Sequence, residues 1–282
     1  MTAGTGYLRF AALGDSTTYG VGDPVPGGWR GWAKLLADAM RTSYDVSYCN
    51  LSATGATALS VRHEQLADAV AHQPDVVSLI VGVNDTMRSN WDPVRIRRDL
   101  LHCAETMHDL GAVLLTARFH DHGRIFGLPG FLRRPMWQRI EAVNEAYDEI
   151  NARFGSLCID LDMRPEVWTR EFWSIDRLHP SELGHRALAR VYTDMLAERG
   201  IVFEPPSAER DGGYEPSWRS DLAWMVTEGA PWVGRRARDL GPWAARMALS
   251  EARSVVAPQP RRAPIKAPAQ PARPTTALDP IG

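Results

Sequence analysis

Four short blocks along this 282-residue chain hold residue types that can carry acyl-transfer chemistry. The first is Gly14-Asp15-Ser16, directly after an apolar run. A serine on a sharp strand-to-helix turn can project its hydroxyl as a nucleophile, and a following backbone N–H can face a developing oxyanion. The same tripeptide also reads as a plain turn, since all three residue types favour one. The second block runs from Asn50 to Gly55; the glycine lets a backbone N–H approach a ligand closely. A loop glycine beside a helix cap at Ser52 or Thr54 fits that segment equally well. The third, Gly82-Val83-Asn84-Asp85, offers the Asn84 amide as an uncharged oxyanion donor, or merely a turn in which Asn84 bonds its own backbone. In the fourth, Asp176 lies three residues before His179. At that spacing on a tight loop the carboxylate can reach Nδ1–H and leave Nε2 free to take a proton from a hydroxyl. Pro180 keeps His179 out of the helix that follows. A helix-capping ion pair is the plainer reading of the same residues.

The elements that must hold these blocks are visible as short apolar runs at 8–13, 46–51, 76–81, 112–116 and 157–161. Several are apolar throughout, as strands buried on both faces of a parallel sheet are. Amphipathic helical patterns lie between them at 29–40, 94–110, 139–154 and 181–199, the last with Ser181 as N-cap and Gly200 as stop. Alternating strands and helices predict an α/β fold, a three-layer α/β/α sandwich on a five-stranded parallel sheet. The four blocks then fall at strand ends or just before the last helix, where an open parallel sheet gathers its loops into a ligand crevice.

Taken in order, the blocks resemble the SGNH/GDSL hydrolase superfamily, whose conserved quartet corresponds to Ser16, Gly55, Asn84 and His179. The likeness spans residues 7–200; the chain has Thr17 after Ser16, a position that varies among members. The 230–238 segment also resembles a C-terminal stretch of cytoplasmic actinobacterial members. The resemblance implies a flavodoxin-like SGNH fold and a serine hydrolase of small or medium carboxylic esters. It makes Ser16 the nucleophile, His179 the base and Asp176 its orienter, with the Ser16 and Gly55 N–H groups and the Asn84 side chain as the oxyanion hole. No metal or organic cofactor is implied. Thioester hydrolysis, deacetylation or acyl transfer could use the same residues. Asp15 and Asp85 are expected to tie loops together.

Composition sets the outer bounds. Net charge is −2, so no global field draws the protein to nucleic acid, and no apolar window approaches a membrane span. Without a recognisable signal segment, a cytoplasmic location is expected. Three widely spaced cysteines predict reduced thiols and no disulfide framework. The expected domain runs over 7–202. An extension at 203–250 holds four of the ten tryptophans and should fold back on the core, or else recruit a protein partner. A tail at 251–282 with seven prolines and no aromatic reads as disordered. His120-Asp121-His122 invites a metal, but no further ligand cluster accompanies it. It lies in the long connection 118–134, where Phe119, Phe126 and Leu128 either line a substrate pocket or simply pack. His63, His72, His102 and His108 are expected at the surface, and His185 in a structural role. Arg235, Arg236 and Arg238 form a basic cluster, read as a solvated face.

Overall fold

The computed structural model describes residues 6–211, together with Gly241, Ala245 and Leu249. The chain opens with β1 (Gly6–Gly14), the short helix α1 (Ser16–Tyr19), the two-residue strands β2 (Pro24–Val25) and β3 (Gly28–Trp29), then α2 (Gly31–Met40) and β4 (Tyr44–Asn50). Next, α3 (Ala58–Ser60) passes through a π-helical turn, Val61–Gln65, into α4 (Leu66–His72). The middle of the chain forms β5 (Val76–Ile80), α5 (Val83–Thr86), α6 (Pro93–Asp109) and β6 (Val113–Arg118). It closes with α7 (His122–Ile125), α8 (Gly130–Phe154), β7 (Leu157–Asp160), a 3₁₀ turn (Pro165–Trp168) and α9 (Glu182–Ala197).

The five long strands form one parallel sheet in the order β4-β1-β5-β6-β7, as the alternating pattern predicted. The order reverses at β1, which pairs with β4 on one side and β5 on the other. Right-handed crossovers therefore send α2 to one face and α4, α6 and α8 to the opposite one. The packing agrees, since α2 lies on α9, and α6 on α8. Every residue of β5 is buried, which is why that run carries no polar alternation.

Two expected boundaries move. The helix expected at 139–154 begins at Gly130, so it takes in the last five residues of what the sequence suggested was an irregular connection. Pro135 is tolerated inside it because near the N-terminus its missing N–H forfeits a single bond, and buried Met136 extends the apolar stripe. The remainder of that connection is tightened by α7, where Asp121 caps the helix by accepting the Arg124 N–H at 3.1 Å. The first helical pattern starts late, at Gly31, because Trp29 pairs with Pro24 in the β2–β3 ribbon.

After α9 the chain turns back along that helix. Phe203 is buried, Arg190 donates to the Pro206 carbonyl (2.7 Å), Arg186 to that of Ser207 (3.0 Å), and Asp211 pairs with Arg30 (2.5 Å). The expectations for the tryptophan-rich stretch, for Arg235, Arg236 and Arg238, and for the proline-rich tail lie outside the described residues. The cysteines are free; Cys103 is buried, Cys49 and Cys158 half-buried.

Candidate active site

Ser16 is the first residue of α1, held by the turn that ends β1. Asp15 caps that turn, its carboxylate accepting the Thr17 N–H at 3.0 Å. Gly14 adopts φ +156°, and a Cβ there would lie 2.5 Å from the Ile80 carbonyl oxygen, so only glycine permits the chain to turn so close to β5. A second device fixes the same residue. The Gln65 side chain accepts the Gly14 N–H and donates to its carbonyl, both at 2.9 Å. No local pattern could have exposed this amide clamp, because Gln65 sits 51 residues from its partner.

On the loop before α9, Asp176 gathers four donors. Oδ1 accepts from Ser174 Oγ (2.7 Å) and from the Leu178 (2.9 Å) and His179 (3.0 Å) N–H groups, while Oδ2 accepts from His179 Nδ1 at 2.5 Å. Burial alone would raise its pKa, but these bonds and the facing imidazole hold it down to about 2. With Nδ1–H committed to the carboxylate, Nε2 is the acceptor, and it lies 2.7 Å from Ser16 Oγ. The helix-capping role belongs instead to Ser181, which accepts the Gly184 N–H at 3.3 Å.

The other two blocks converge from β4 and β5. Asn84 Nδ2 donates to the Ala56 carbonyl at 3.0 Å and lies 3.5 Å from Asp15 Oδ2, so it bridges the loops that end β1 and β4. Asp85 Oδ2 accepts the Ala58 N–H at 3.1 Å, tying β5's end to α3. Burial raises both carboxyls, Asp15 to about 6 and Asp85 to about 7, against the partial relief of those N–H bonds. Gly55 takes φ +78°; the helix cap nearby is Thr57, in a capping box with Ser60, and not Ser52 or Thr54.

Ser16, Asn84 and His179 share the wall of one cleft of about 620 Å³, the open mouth included; Asp176 stands behind His179, and Gly55 lies on the adjoining loop. The cleft is otherwise largely apolar and aromatic, with Phe119, Phe172 and Trp173 in its wall. Phe119 is therefore a lining residue, whereas Phe126 and Leu128 pack against the core. Asn144 clamps Phe119 as Gln65 clamps Gly14, accepting its N–H (2.7 Å) and donating to its carbonyl (3.0 Å). The contribution of Phe172 and Trp173 carried no signal beyond their size.

The remaining histidines divide cleanly. His63, His102 and His108 are exposed and His72 is half-buried. His185 is fully buried, accepting the Trp32 N–H at Nδ1 (3.2 Å) and bonding the Val21 carbonyl through Nε2 (3.0 Å), so both ring nitrogens serve the core. His120 and His122 are buried and stacked, ring centroids 4.0 Å apart. Among the described residues no group of three or more His, Cys, Asp or Glu side chains is placed to hold a metal ion. No helix among them is long and apolar enough to cross a membrane.

Comparison with known proteins places the chain in a family. The model of the GDSL-like lipase/acylhydrolase family matches residues 12–187. An acetylxylan esterase from Geobacillus stearothermophilus is 23% identical over 165 residues, which cover 56% of this chain and 75% of that protein. Among solved structures, a catalytic mutant of an acetylxylan esterase from the same organism superposes with a TM-score of 0.56 at 19% identity, covering 74% of this chain and all of the other. A lipase/acylhydrolase from Enterococcus faecalis gives 0.55 at 22% identity, covering 71% and 100%. At such identities the structures speak for the shared fold. The family match, spanning more than half of the sequence, settles membership: the chain belongs to the GDSL-like lipase/acylhydrolase family, within the SGNH hydrolases, and is an enzyme of the esterase/lipase kind.

Proposed function

We propose that the protein hydrolyses small or medium carboxylic acyl esters through an acyl-enzyme on Ser16. The observation that carries this reading is the unbroken chain Ser16 Oγ–His179 Nε2–Asp176, with contacts of 2.7 and 2.5 Å. His179 removes the hydroxyl proton as Oγ bonds to the ester carbonyl carbon, and Asp176 stabilises the imidazolium so formed. The tetrahedral oxyanion is received by the Ser16 and Gly55 N–H groups and by the Asn84 side-chain amide. When the carbonyl re-forms, the C–O bond to the alcohol breaks and His179 returns the proton to the leaving oxygen. Water, deprotonated by the same imidazole, then attacks the acyl-enzyme, and Ser16 regains its proton as the acid departs.

The test is hydrolysis of p-nitrophenyl esters of increasing acyl length by wild type and Ser16→Ala. Turnover that falls at least about 10⁴-fold in the variant supports the reading. Turnover that survives the substitution overturns it.

A further inference from the structure

We propose that Arg30 is a positioning residue for the reaction: its guanidinium ties the loop that follows Ser16 to the first turn of α9, and so fixes the serine against His179. The inference deepens the esterase reading above and rests on it. Ser16 and His179 lie 163 positions apart and meet in a 2.7 Å hydrogen bond, so their alignment depends on how the segments after each of them join. The Ser16 carbonyl accepts the Gly20 (3.1 Å) and Val21 (3.0 Å) N–H groups, which couples the 20–23 loop to the serine. That loop lies directly on the residue after His179: a Cβ on Gly22 would come within 2.0 Å of the Pro180 carbonyl oxygen. Arg30 closes the join. Nε (2.9 Å) and Nη2 (3.1 Å) donate to the two oxygens of Asp23, and Nη2 also donates to Glu182 Oε1 at 3.0 Å, three residues past His179. Nη1 donates to Asp211 at 2.5 Å.

These groups are placed for geometry more than for stability. Asp23 and Glu182 are buried, and the Arg30 side chain is only 14% exposed. Taking such charges out of water offsets most of what their attraction gains, whereas short charge-assisted bonds hold fixed directions. The planar guanidinium forks onto Asp23 and still reaches Glu182 and Asp211. A lysine ammonium, a point charge on a flexible stem, cannot reproduce that fork while holding the other two. Arg186 serves as the internal contrast. It bonds Glu182 Oε1 at 3.1 Å and pairs with Asp211 at 2.7 Å, but its hydrogen bonds and ion pairs reach no residue of the serine loop. Both arginines belong to one cluster, and Arg30 is the one that spans the two halves of the site.

The test measures kcat, KM and melting temperature for p-nitrophenyl ester hydrolysis by wild type, Arg30→Met, Arg30→Lys and Arg186→Met. We expect Arg30→Met to lower kcat about 10²-fold with KM within about threefold, because a displacement near 1 Å misaligns the serine without altering the rest of the cleft. Arg186→Met should lower the melting temperature but keep kcat within about threefold. Equal losses of kcat in the two variants, or none in Arg30→Met, overturn the proposal. Arg30→Lys keeps the charge beside Asp23 and Glu182, so it answers the question if Arg30→Met does not fold: kcat should still fall at least about fivefold, and a kcat within twofold of wild type overturns the proposal. A further measurement needs no turnover. Ser16→Ala removes the hydrogen bond to His179 Nε2 and should shift that ¹⁵N resonance; Arg30→Lys should shift it in the same direction, and Arg186→Met should leave it in place. A resonance unmoved in Arg30→Lys overturns the inference. Absence of Ser16-dependent ester turnover, by contrast, fails the esterase reading while the Nε2 resonance still decides this one.

Discussion

Two stretches of the cleft wall are built on opposite plans. Around Ser16, His179 and Asp176 the hydrogen-bonding capacity is engaged: one carboxylate takes four donors, and the imidazole spends one nitrogen on it and turns the other to the serine. Elsewhere in the same wall, His120 and Trp32 are equally buried yet leave their nitrogens unpaired. A saturated network fixes one geometry before substrate arrives, which is where preorganised catalysis draws its advantage. An unsaturated stretch is held in place by stacking and packing instead, and its unpaired nitrogens carry a cost in stability.

The sharpest way to break that contrast is to unsettle the saturated side. Asp176→Asn replaces an acceptor of four bonds with an amide that must turn a donor toward one of them, and it removes the charge facing the imidazole. We expect kcat to fall by about 10³–10⁴-fold, read in ester hydrolysis against pH. The same group links stability to pH. Its folded pKa of about 2 lies below the ordinary 3.8, so its stabilisation is complete above 3.8 and drains away as pH falls through 2. Acid melts of Asp176→Asn should lack that loss. Asn84→Ala should lower kcat by about 10²–10³-fold while the fold persists by circular dichroism. Full activity in that variant removes Asn84 from the oxyanion hole.

Next comes Gln65→Leu, which strands the Gly14 N–H in the interior and leaves its carbonyl with the Ala53 N–H at 3.3 Å. At about 1–3 kcal/mol for a buried group left unpaired, stability in urea should drop by roughly that amount, with an accompanying loss of kcat as Ser16 shifts. Unchanged kcat would show that the clamp serves the fold alone. The smallest effect belongs to Asp85→Asn. Its folded pKa of about 7 exceeds 3.8, so the folded state binds the proton more tightly and stability declines as pH rises from about 4 through 7. The amide abolishes that decline, and melts at pH 5 and pH 8 should then differ less than in wild type.

Much of this was legible in advance because it is local. Gly-Asp-Ser at the end of an apolar run, and an aspartate three residues before a histidine and a proline, specify a turn and a tight loop whatever the rest of the chain does. Boundaries were legible less evenly. The start of α8 was hidden because Pro135 argues against helix locally, while Met136 earns its place only by contact with the core. Gln65 and Asn144 gave no sign, since an amide in a helical pattern looks alike whether it faces water or grips a strand end.

By itself the sequence determined the strand-and-helix alternation, the residues of the four blocks and the family, because hydrophobic period and turn chemistry act over a few residues. Which residues share a cleft wall with the serine was decided only by the tertiary structure. It brought His120 and Trp32, 88 positions apart in the chain, into one wall by the order β4-β1-β5-β6-β7 and the packing of α2 beneath it. Contacts between distant segments depend on how whole layers pack, and no local spacing encodes them.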